Sequence, residues 1–418
     1  MTVLEGRGKL AARGGAWRLH LSDVCLFIYL CAFFAHRTNA GIDGYLLRGS
    51  FVMYVVCFFF FDILSDIKEG KRRPLFSGMA IWLICFWAFA FVSVFWSESV
   101  RNTLQGNYIT NAIQAIFLVT CITYRVRNKD DLLMMVRLLI VAGLYAAAVL
   151  YMKTPSSAWG SERVGEALGL NQNTVGMNNA YLALFCLFLL HYKKSPLAIV
   201  GVAAFVIIAL FSGSRKAFLI IVLGILLIET FSHRGFKGLA AALIALTAVY
   251  LLYQLVMTVP EFYNVLGYRI DRMLNDGVDG SAAERHWYRQ YAFSMWMNKP
   301  LFGYGFNGFL TQMQAINYWH QAYCHCNQLE LLADLGIAGF SLYYGFYVTM
   351  LRSFGKSFRN HRKESVFGIS FILVAFIAEY GNVAFVGVDT YIFLALVYST
   401  YRVATHEGAI ERENASNG

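Results

Sequence analysis

Residues 196–232 read PLAIVGVAAFVIIALFSGSRKAFLIIVLGILLIETFS, which is two apolar runs joined by the polar turn Ser212-Gly213-Ser214-Arg215-Lys216. Each run has roughly the length that an α-helix needs to cross the hydrocarbon core of a bilayer. Because a spanning segment must satisfy its own backbone hydrogen bonds, the runs predict two membrane helices in a tight hairpin.

The composition extends this prediction to the whole chain. Of 418 residues, 58% are hydrophobic and only 14% are charged, whereas soluble domains carry about 25% charged residues. We therefore predict an all-α integral membrane protein with about 12 transmembrane helices. The predicted spans are residues 21–36, 45–64, 76–97, 107–123, 132–152, 174–192, 196–213, 215–232, 237–257, 329–352, 365–386 and 389–403.

The lysines and arginines indicate the orientation. The net charge is +10, and the excess lies in the N-terminal tail, in alternate loops and in the C-terminal tail. The positive-inside rule assigns these segments, and hence both termini, to the cytoplasm. Topology thus explains the charge without a nucleic-acid partner. Basic residues precede the first apolar run, but no small-residue cleavage site follows it. We therefore expect this run to be a membrane helix rather than a signal peptide.

This topology divides the chain into three parts. They are nine helices with short loops in residues 1–257, a large extracytoplasmic loop in residues 258–328, and three helices with a cytoplasmic tail in residues 329–418. Long loops of this kind are usually functional. We expect short helices in the loop at residues 262–276 and 282–298.

Polar chemistry is concentrated in five stretches that all face outward in this topology. They are Ser161–Gly165, Asn171–Asn173, Ser212–Lys216, Tyr268–Arg289 and Tyr323–Asn327. Polar groups at the edge of hydrocarbon are expensive and usually functional. We predict that they form one extracytoplasmic site.

The hairpin turn offers two cations to that site. Arg215 follows small residues that allow close backbone approach, and its planar guanidinium suits bidentate contact with phosphate. Lys216 is a second candidate for substrate binding. The alternative for Lys216 is that it extends along the helix to the lipid headgroups.

Other outward loops offer further arginines. Arg285 and Arg289 are four residues apart and share one face of a predicted helix. Arg163 lies in a different outward loop, close in sequence to Asn173. The alternative is that arginines of the long loop pair with Asp271, Asp276 and Glu284.

His325 is the candidate general base. It lies between Cys324 and Cys326 at the mouth of a membrane helix, with Tyr323 and Asn327 as polar neighbours. Histidine titrates near neutral pH and commonly takes protons in catalysis, although a lone histidine is more often structural. The Cys-His-Cys spacing suits neither a zinc site nor a disulfide, so we predict no metal site. One base with several arginines suits sugar transfer from a lipid diphosphate to a hydroxyl.

In this order, the motifs resemble the bacterial O-antigen polymerase and ligase superfamily (Wzy-type polymerases and WaaL-type ligases). The likeness covers about residues 160–345. The matching elements are Arg163-Val164-Gly165 with Asn173 and Gly176, the Ser212–Lys216 turn, Ser281 with Arg285, Lys299 to Gly305, and His325-Cys326-Asn327 with Leu329, Leu332, Gly336 and Gly339. One departure is Gln172, where the family often has proline.

The resemblance implies a GT-C-like, metal-independent, inverting glycosyltransferase of the bacterial inner membrane that needs no cofactor. His325 would be the base, and Arg215 and Arg285 would hold the diphosphate of an undecaprenyl-linked glycan donor. The implied substrate-binding residues are Arg163, Asn173, Lys216, Arg289, Tyr323 and Asn327. Further expected partners are a glycan or lipid A-core acceptor, the lipid bilayer and a chain-length regulator.

Three functions remain open at this stage. A polymerase moves the glycan onto another lipid-linked repeat, and a ligase moves it onto lipid A-core. Lys216 and the spacing of residues 267–305 favour the polymerase. A transporter of polyprenyl-linked glycan is disfavoured because it predicts charges buried in the middle of helices, and most predicted spans lack them.

Overall fold

The computed structural model describes residues 20–35, 41–71, 73–97, 99–275, 280–316 and 322–416, and this part of the chain is all-helical. Its helices are α1 Leu21–Ala35, α2 Gly41–Phe58, α3 Leu64–Lys68, α4 Gly78–Val92, α5 Val100–Gln105, α6 Tyr108–Arg125, α7 Lys129–Lys153, α8 Gln172–Tyr192, α9 Pro196–Phe211, α10 Arg215–Ser232, α11 Gly235–Thr258, α12 Pro260–Phe262, α13 Tyr268–Asn275, α14 Gly280–Asn298, α15 Gly308–Ile316, α16 Asn327–Ser357, α17 Arg362–Glu379 and α18 Val388–Ser416. The π-helical turn Phe59–Ile63 joins α2 to α3, and Tyr263–Gly267 joins α12 to α13.

Each of the twelve predicted spans overlaps a helix, and α10 has the predicted ends. The predicted span 365–386 is too long, because α17 ends at Glu379. Within the described residues, six helical segments are long and apolar enough to cross a membrane. They are Gly44–Lys68, Gly78–Trp96, Lys129–Lys153, Gln172–Tyr192, Gly235–Thr258 and Asn327–Ser357. Helices α1 and α9 are apolar but shorter. The protein is thus a multi-pass membrane protein by length and composition, and the count of twelve spans stays a prediction.

Small residues bring α8, α9 and α10 into close contact. A Cβ atom on Gly224 of α10 would lie 2.3 Å from Leu184 of α8, and one on Gly201 of α9 would lie 2.6 Å from Cys186 of α8. Glycine at such positions lets membrane helices approach along their backbones. This packing holds the start of α8 beside the turn between α9 and α10.

The basic loops meet at one end of the helices, here called the basic end. Lys363 Nζ donates to the carbonyl of His191 at 2.7 Å, and Arg362 Nη2 donates to the carbonyl of His233 at 2.8 Å. This grouping agrees with the charge count of alternate loops, although the N-terminal tail, residues 1–19, lies outside the described residues. The side of the membrane on which the basic end lies stays a prediction.

Helix α16 is broken where the loop between α14 and α15 inserts into it. Gly336 has a φ of +63°, which frees the next residue, Ile337, to donate its backbone N–H to the carbonyl of Pro300 at 2.9 Å. On the other side of the break, Gly305 N donates to the carbonyl of Asp334 at 2.7 Å. The glycine-rich turn after α14 is therefore clamped into the kink of α16.

Candidate functional site

The turn between α9 and α10 fits tightly against the start of α8. Ser214 Oγ accepts a hydrogen bond from Ala217 N at 3.3 Å and so caps α10. Gly213 has a φ of +61°, and a Cβ atom on Gly176 of α8 would lie 2.2 Å from Ser212 Oγ. Glycine is needed at both positions, one for conformation and one for space.

Arg163 joins the outer loop before α8 to this turn. Its Nε donates to the carbonyl of Ser212 at 2.7 Å and its Nη2 to Asn173 Oδ1 at 2.9 Å. Burial, together with the charges of Arg269, Arg285 and Arg215, lowers the pKa of Arg163 to about 10, and the charge of Glu166 opposes this shift. Like charges act on one another in this way only when they are close. The structure thus brings Arg163, Asn173 and the arginines of the long loop together.

Arg215 and Lys216 are held by backbone oxygens. Arg215 Nη1 donates to the carbonyl of Arg269 at 3.4 Å. Lys216 Nζ donates to the carbonyl of Gly381, in the turn after α17. A carbonyl fixes a cation without neutralising it, so the positive charge remains available to an anionic ligand.

Helix α14 contributes the remaining predicted cations. The guanidinium of Arg289 lies over the ring of Tyr380, 5.2 Å from the ring centroid. Arg285 lies near enough to Arg163 and to His325 to lower the pKa of both. In the same loop, Tyr288 donates a hydrogen bond to Glu284, and Asp276 lies outside the described residues.

His325 is held between two tyrosines in an unusual backbone conformation. Its ring centroid lies 3.9 Å from that of Tyr323 and 6.3 Å from that of Tyr288. Its φ is +57°, a left-handed conformation that costs most side chains about 1–2 kcal/mol. Burial, then the charges of Arg285 and Lys216, lower the pKa of His325 to about 4 from its ordinary 6.5. The imidazole is therefore neutral at physiological pH and can accept a proton.

The flanking cysteines anchor this conformation. Cys324 and Cys326 are buried in a small apolar cluster with Ala292, Phe309 and Met313. The backbone N–H of Cys324 also donates to Glu330 Oε2 at 2.7 Å. Both cysteines are free thiols. Their burial gives them a packing role.

Asn327 belongs to a buried network that sequence reasoning missed. Its Oδ1 accepts from Ala384 N at 2.7 Å and Phe385 N at 3.0 Å, and its Nδ2 donates to Tyr344 and Glu379. All four hydrogen-bonding positions of the amide are occupied within the protein. The substrate contact of Asn327 stays a prediction from sequence. Glu379 was visible in the sequence as a carboxylate within an apolar span, which was the available signal.

A second buried carboxylate, Asp334, holds the clamped turn. Its two oxygens accept from Asn307 N at 3.0 Å and Phe309 N at 2.7 Å. Asn307 has a φ of +60°, so these bonds fix a strained turn. The Lys299 to Gly305 element therefore positions α15 and the outer loop against α16.

A cavity of about 320 Å³ lies next to the segment that carries His325. Tyr323, whose ring packs on His325, forms part of its wall, and so does Asn382, next to the Gly381 carbonyl that holds Lys216. The cavity therefore lies close to two of the predicted site residues, His325 and Lys216.

Among the described residues, the set that could hold a metal ion is His191, Glu229 and His233, whose ligand atoms lie within 4.8 Å of one another. This set lies at the basic end, at the far end of α8. The 21 residues of α8 span about 30 Å. The set is therefore separate from the site around His325.

Residues 200–344 match the family model described as O-Antigen ligase. The match runs from α9 into α16 and includes Arg215, Arg285 and His325. It confirms the resemblance to the O-antigen polymerase and ligase superfamily. A search of curated proteins found no match.

Proposed function

We propose that this protein is an inverting glycosyltransferase that moves a glycan from a polyprenyl diphosphate to a sugar hydroxyl at the extracytoplasmic membrane surface. The observation that carries the proposal is a neutral histidine beside cations held by carbonyl and amide oxygens. His325 lies within range of Arg285 and Lys216, and Arg163 is bonded to Ser212 and Asn173. A base and a cationic site for the diphosphate are the two parts that this transfer needs.

The chemistry follows from these two parts. The acceptor hydroxyl gives its proton to the imidazole of His325 as its oxygen attacks the anomeric carbon of the donor glycan. The bond between that carbon and the phosphate oxygen breaks, and the lipid diphosphate leaves with the electron pair. Arg215, Arg285 and Lys216 stabilise the negative charge that develops on the leaving oxygen. Attack opposite to the leaving group inverts the anomeric configuration.

Binding of the glycan donor also changes the pKa of His325. Burial and three cations hold the pKa of His325 low in the free protein, and Arg285 has the largest effect among the cations. A bound diphosphate compensates these charges and moves the pKa back towards its ordinary value. His325 therefore becomes a stronger base when the glycan donor is in place, which limits proton transfer to the loaded enzyme.

Polymerase and ligase are the two forms of this function. The spacing of residues 267–305 and Lys216 favour the polymerase, whereas the family description names a ligase. Deletion of the gene followed by glycan profiling separates them. Single repeats attached to lipid A-core indicate a lost polymerase, and long chains left on the lipid carrier indicate a lost ligase. An unchanged glycan profile contradicts both.

A further inference from the structure

The cavity next to His325 differs in charge from the surroundings of His325. Among the described residues that form its wall are the carboxyl groups of Glu330, Glu379 and Asp389, and no lysine, arginine or histidine. Arg285 and Lys216, whose charges act on His325, are not part of this wall. A diphosphate is therefore attracted to these two cations rather than to the cavity.

The rest of the wall suits a sugar ring. Tyr181 packs against Phe371 and Phe393, with ring centroids 5.1 and 5.4 Å away, and all three form part of the wall. Aromatic surfaces pack against the apolar faces of such rings. The wall also contains several amide side chains, which both donate and accept hydrogen bonds, as hydroxyl groups require. These are Asn111, Asn171, Asn178, Asn307 and Asn382.

We propose that this cavity binds the terminal sugar of the acceptor and that this sugar is neutral or an amino sugar, not a uronic acid. The acceptor assignment rests on the proposed function. The diphosphate of the glycan donor is held by Arg285 and Lys216, and the cavity lies on the Tyr323 side of His325. A sugar in the cavity can therefore present a hydroxyl to the imidazole. A uronic acid would bury its own carboxylate in a wall that has three carboxyl groups and no cation among its described residues to pair it.

The size of the cavity sets how much of the acceptor enters. Its volume of about 320 Å³ is at the lower end of the range for ligand pockets. It therefore accommodates the end of a glycan, and the rest of the acceptor extends outward past Tyr323. Recognition of the terminal sugar then decides which chain receives the transferred glycan.

Two substitutions test the cavity by kinetics. Asn178→Leu and Asn382→Leu each remove an amide from the wall and add bulk. We expect each to raise the KM for the acceptor about tenfold or more, as one lost hydrogen bond to a ligand does, with the KM for the glycan donor unchanged. Asn179→Leu is the matched control, because Asn179 is adjacent in α8 and does not border this cavity, but does border the second cavity, of about 340 Å³, which Asn178 also borders. A rise in the donor KM alone, or an unchanged acceptor KM in both variants, overturns the proposal.

A binding measurement separates this proposal from the proposed function. The purified protein in phosphatidylethanolamine–phosphatidylglycerol nanodiscs is mixed with octyl glucoside, octyl glucosaminide or octyl glucuronide, and saturation-transfer NMR reports contact with the sugar protons. We expect signals for the first two probes, weakened by Asn178→Leu and Asn382→Leu but kept in Asn179→Leu and His325→Asn. Equal or stronger signals for the glucuronide overturn the charge assignment. If the wild-type protein binds the sugar but transfers no glycan, the result supports the sugar-binding cavity and contradicts the proposed transferase function.

Discussion

The guanidinium of Arg163 donates a 2.7 Å hydrogen bond to the carbonyl of Ser212, 49 residues further along the chain. The same guanidinium also bonds Asn173, so the segment before α8 and the start of α8 are both tied to the turn that carries Arg215.

Arg163→Lys keeps the charge but cannot make both bonds, because lysine lacks the planar fork. We expect a loss of about 1–2 kcal/mol in stability and slower transfer. Thermal unfolding and initial rates measure both. Arg48→Lys, at an exposed position on α2, is the control. If Arg163→Lys unfolded and transferred glycan like the wild type, the two hydrogen bonds of Arg163 would have no role in stability or transfer.

The clamp between the outer loop and α16 predicts a sharp difference between two glycines. Gly336→Ala puts a Cβ atom 2.4 Å from the backbone of Leu301 at a φ of +63°, whereas Gly345, in the same helix, has nothing within 4 Å. We expect Gly336→Ala to lower the folded yield and the melting temperature. Gly345→Ala should be neutral or stabilising by about 0.5–1 kcal/mol. Equal behaviour of the two variants would contradict the clamp.

The saturated amide of Asn327 predicts a loss of stability rather than of substrate affinity. Asn327→Ala leaves two backbone N–H groups without their acceptor and removes a hydrogen bond to the carboxylate of Glu379. Each unsatisfied buried group costs about 1–3 kcal/mol. We expect a low melting temperature, with an unchanged KM in the protein that remains folded. A stable variant with a raised KM would restore the substrate contact predicted from sequence.

The low pKa of His325 predicts a shifted pH profile. The acidic limb of kcat/KM should have its midpoint near the pKa of the free enzyme, about 4, rather than 6.5. The limb of kcat should lie at higher pH, because the bound diphosphate raises the pKa. Arg289→Gln removes one of the charges that lower the pKa, so its kcat/KM limb should move to higher pH. A wild-type limb at pH 6.5 that Arg289→Gln leaves in place would contradict the electrostatic account.

The same pKa shift has a consequence for stability. Because the pKa of His325 is lower in the folded protein than in the unfolded chain, the unfolded chain binds more protons between pH 4 and 6.5. The contribution to stability is therefore complete above pH 6.5 and is lost as the pH falls from 6.5 to 4. Because asparagine does not titrate, the melting temperature of the wild type should fall relative to that of His325→Asn as the pH drops from 6.5 to 4. A difference that stays constant over this range would contradict the shifted pKa.

Arg215 tests the geometry of phosphate binding. Arg215→Lys keeps the charge at the start of α10 but loses bidentate contact. We expect the KM for the glycan donor to rise and transfer to fall at least tenfold, with the KM for the acceptor unchanged. Rates are measured with purified protein and lipid-linked glycan. Full transfer by this variant would leave Arg215 with a structural role alone.

Much of the fold could be predicted from sequence because apolar run length is a local property. The ends of α10 follow from the Ser212–Lys216 turn and a polar stretch after Ser232. The break at Gly336 could not be predicted in this way, since it depends on backbone bonds to Pro300 and Leu301, more than 30 residues away. Helix α17 ends at Glu379 instead of continuing to residue 386, because Asn327 binds the backbone of Ala384 and Phe385 in the following turn.

The candidate site shows the same limit. The residue types at Arg163, Arg215, Arg285 and His325 indicated their chemistry, and the topology put them at one end of the helices. Their individual partners are tertiary contacts that no pattern encodes, such as the bond from Lys216 to Gly381. Asn327 is another example. A family motif predicts that it contacts the substrate, but the motif does not reveal that all hydrogen bonds of its amide are made within the protein.

The most direct test of the central claim is single-turnover transfer by His325→Asn. Asparagine tolerates the left-handed backbone that His325 adopts, with its φ of +57°, better than alanine does, so the variant removes the base without adding strain. The measurement uses purified protein, lipid-diphosphate glycan and acceptor, with donor binding and melting temperature recorded in parallel. We predict a loss in rate of between about 10²- and 10⁴-fold with donor binding and folding retained. Transfer at a near-normal rate would contradict the role of His325 as the base.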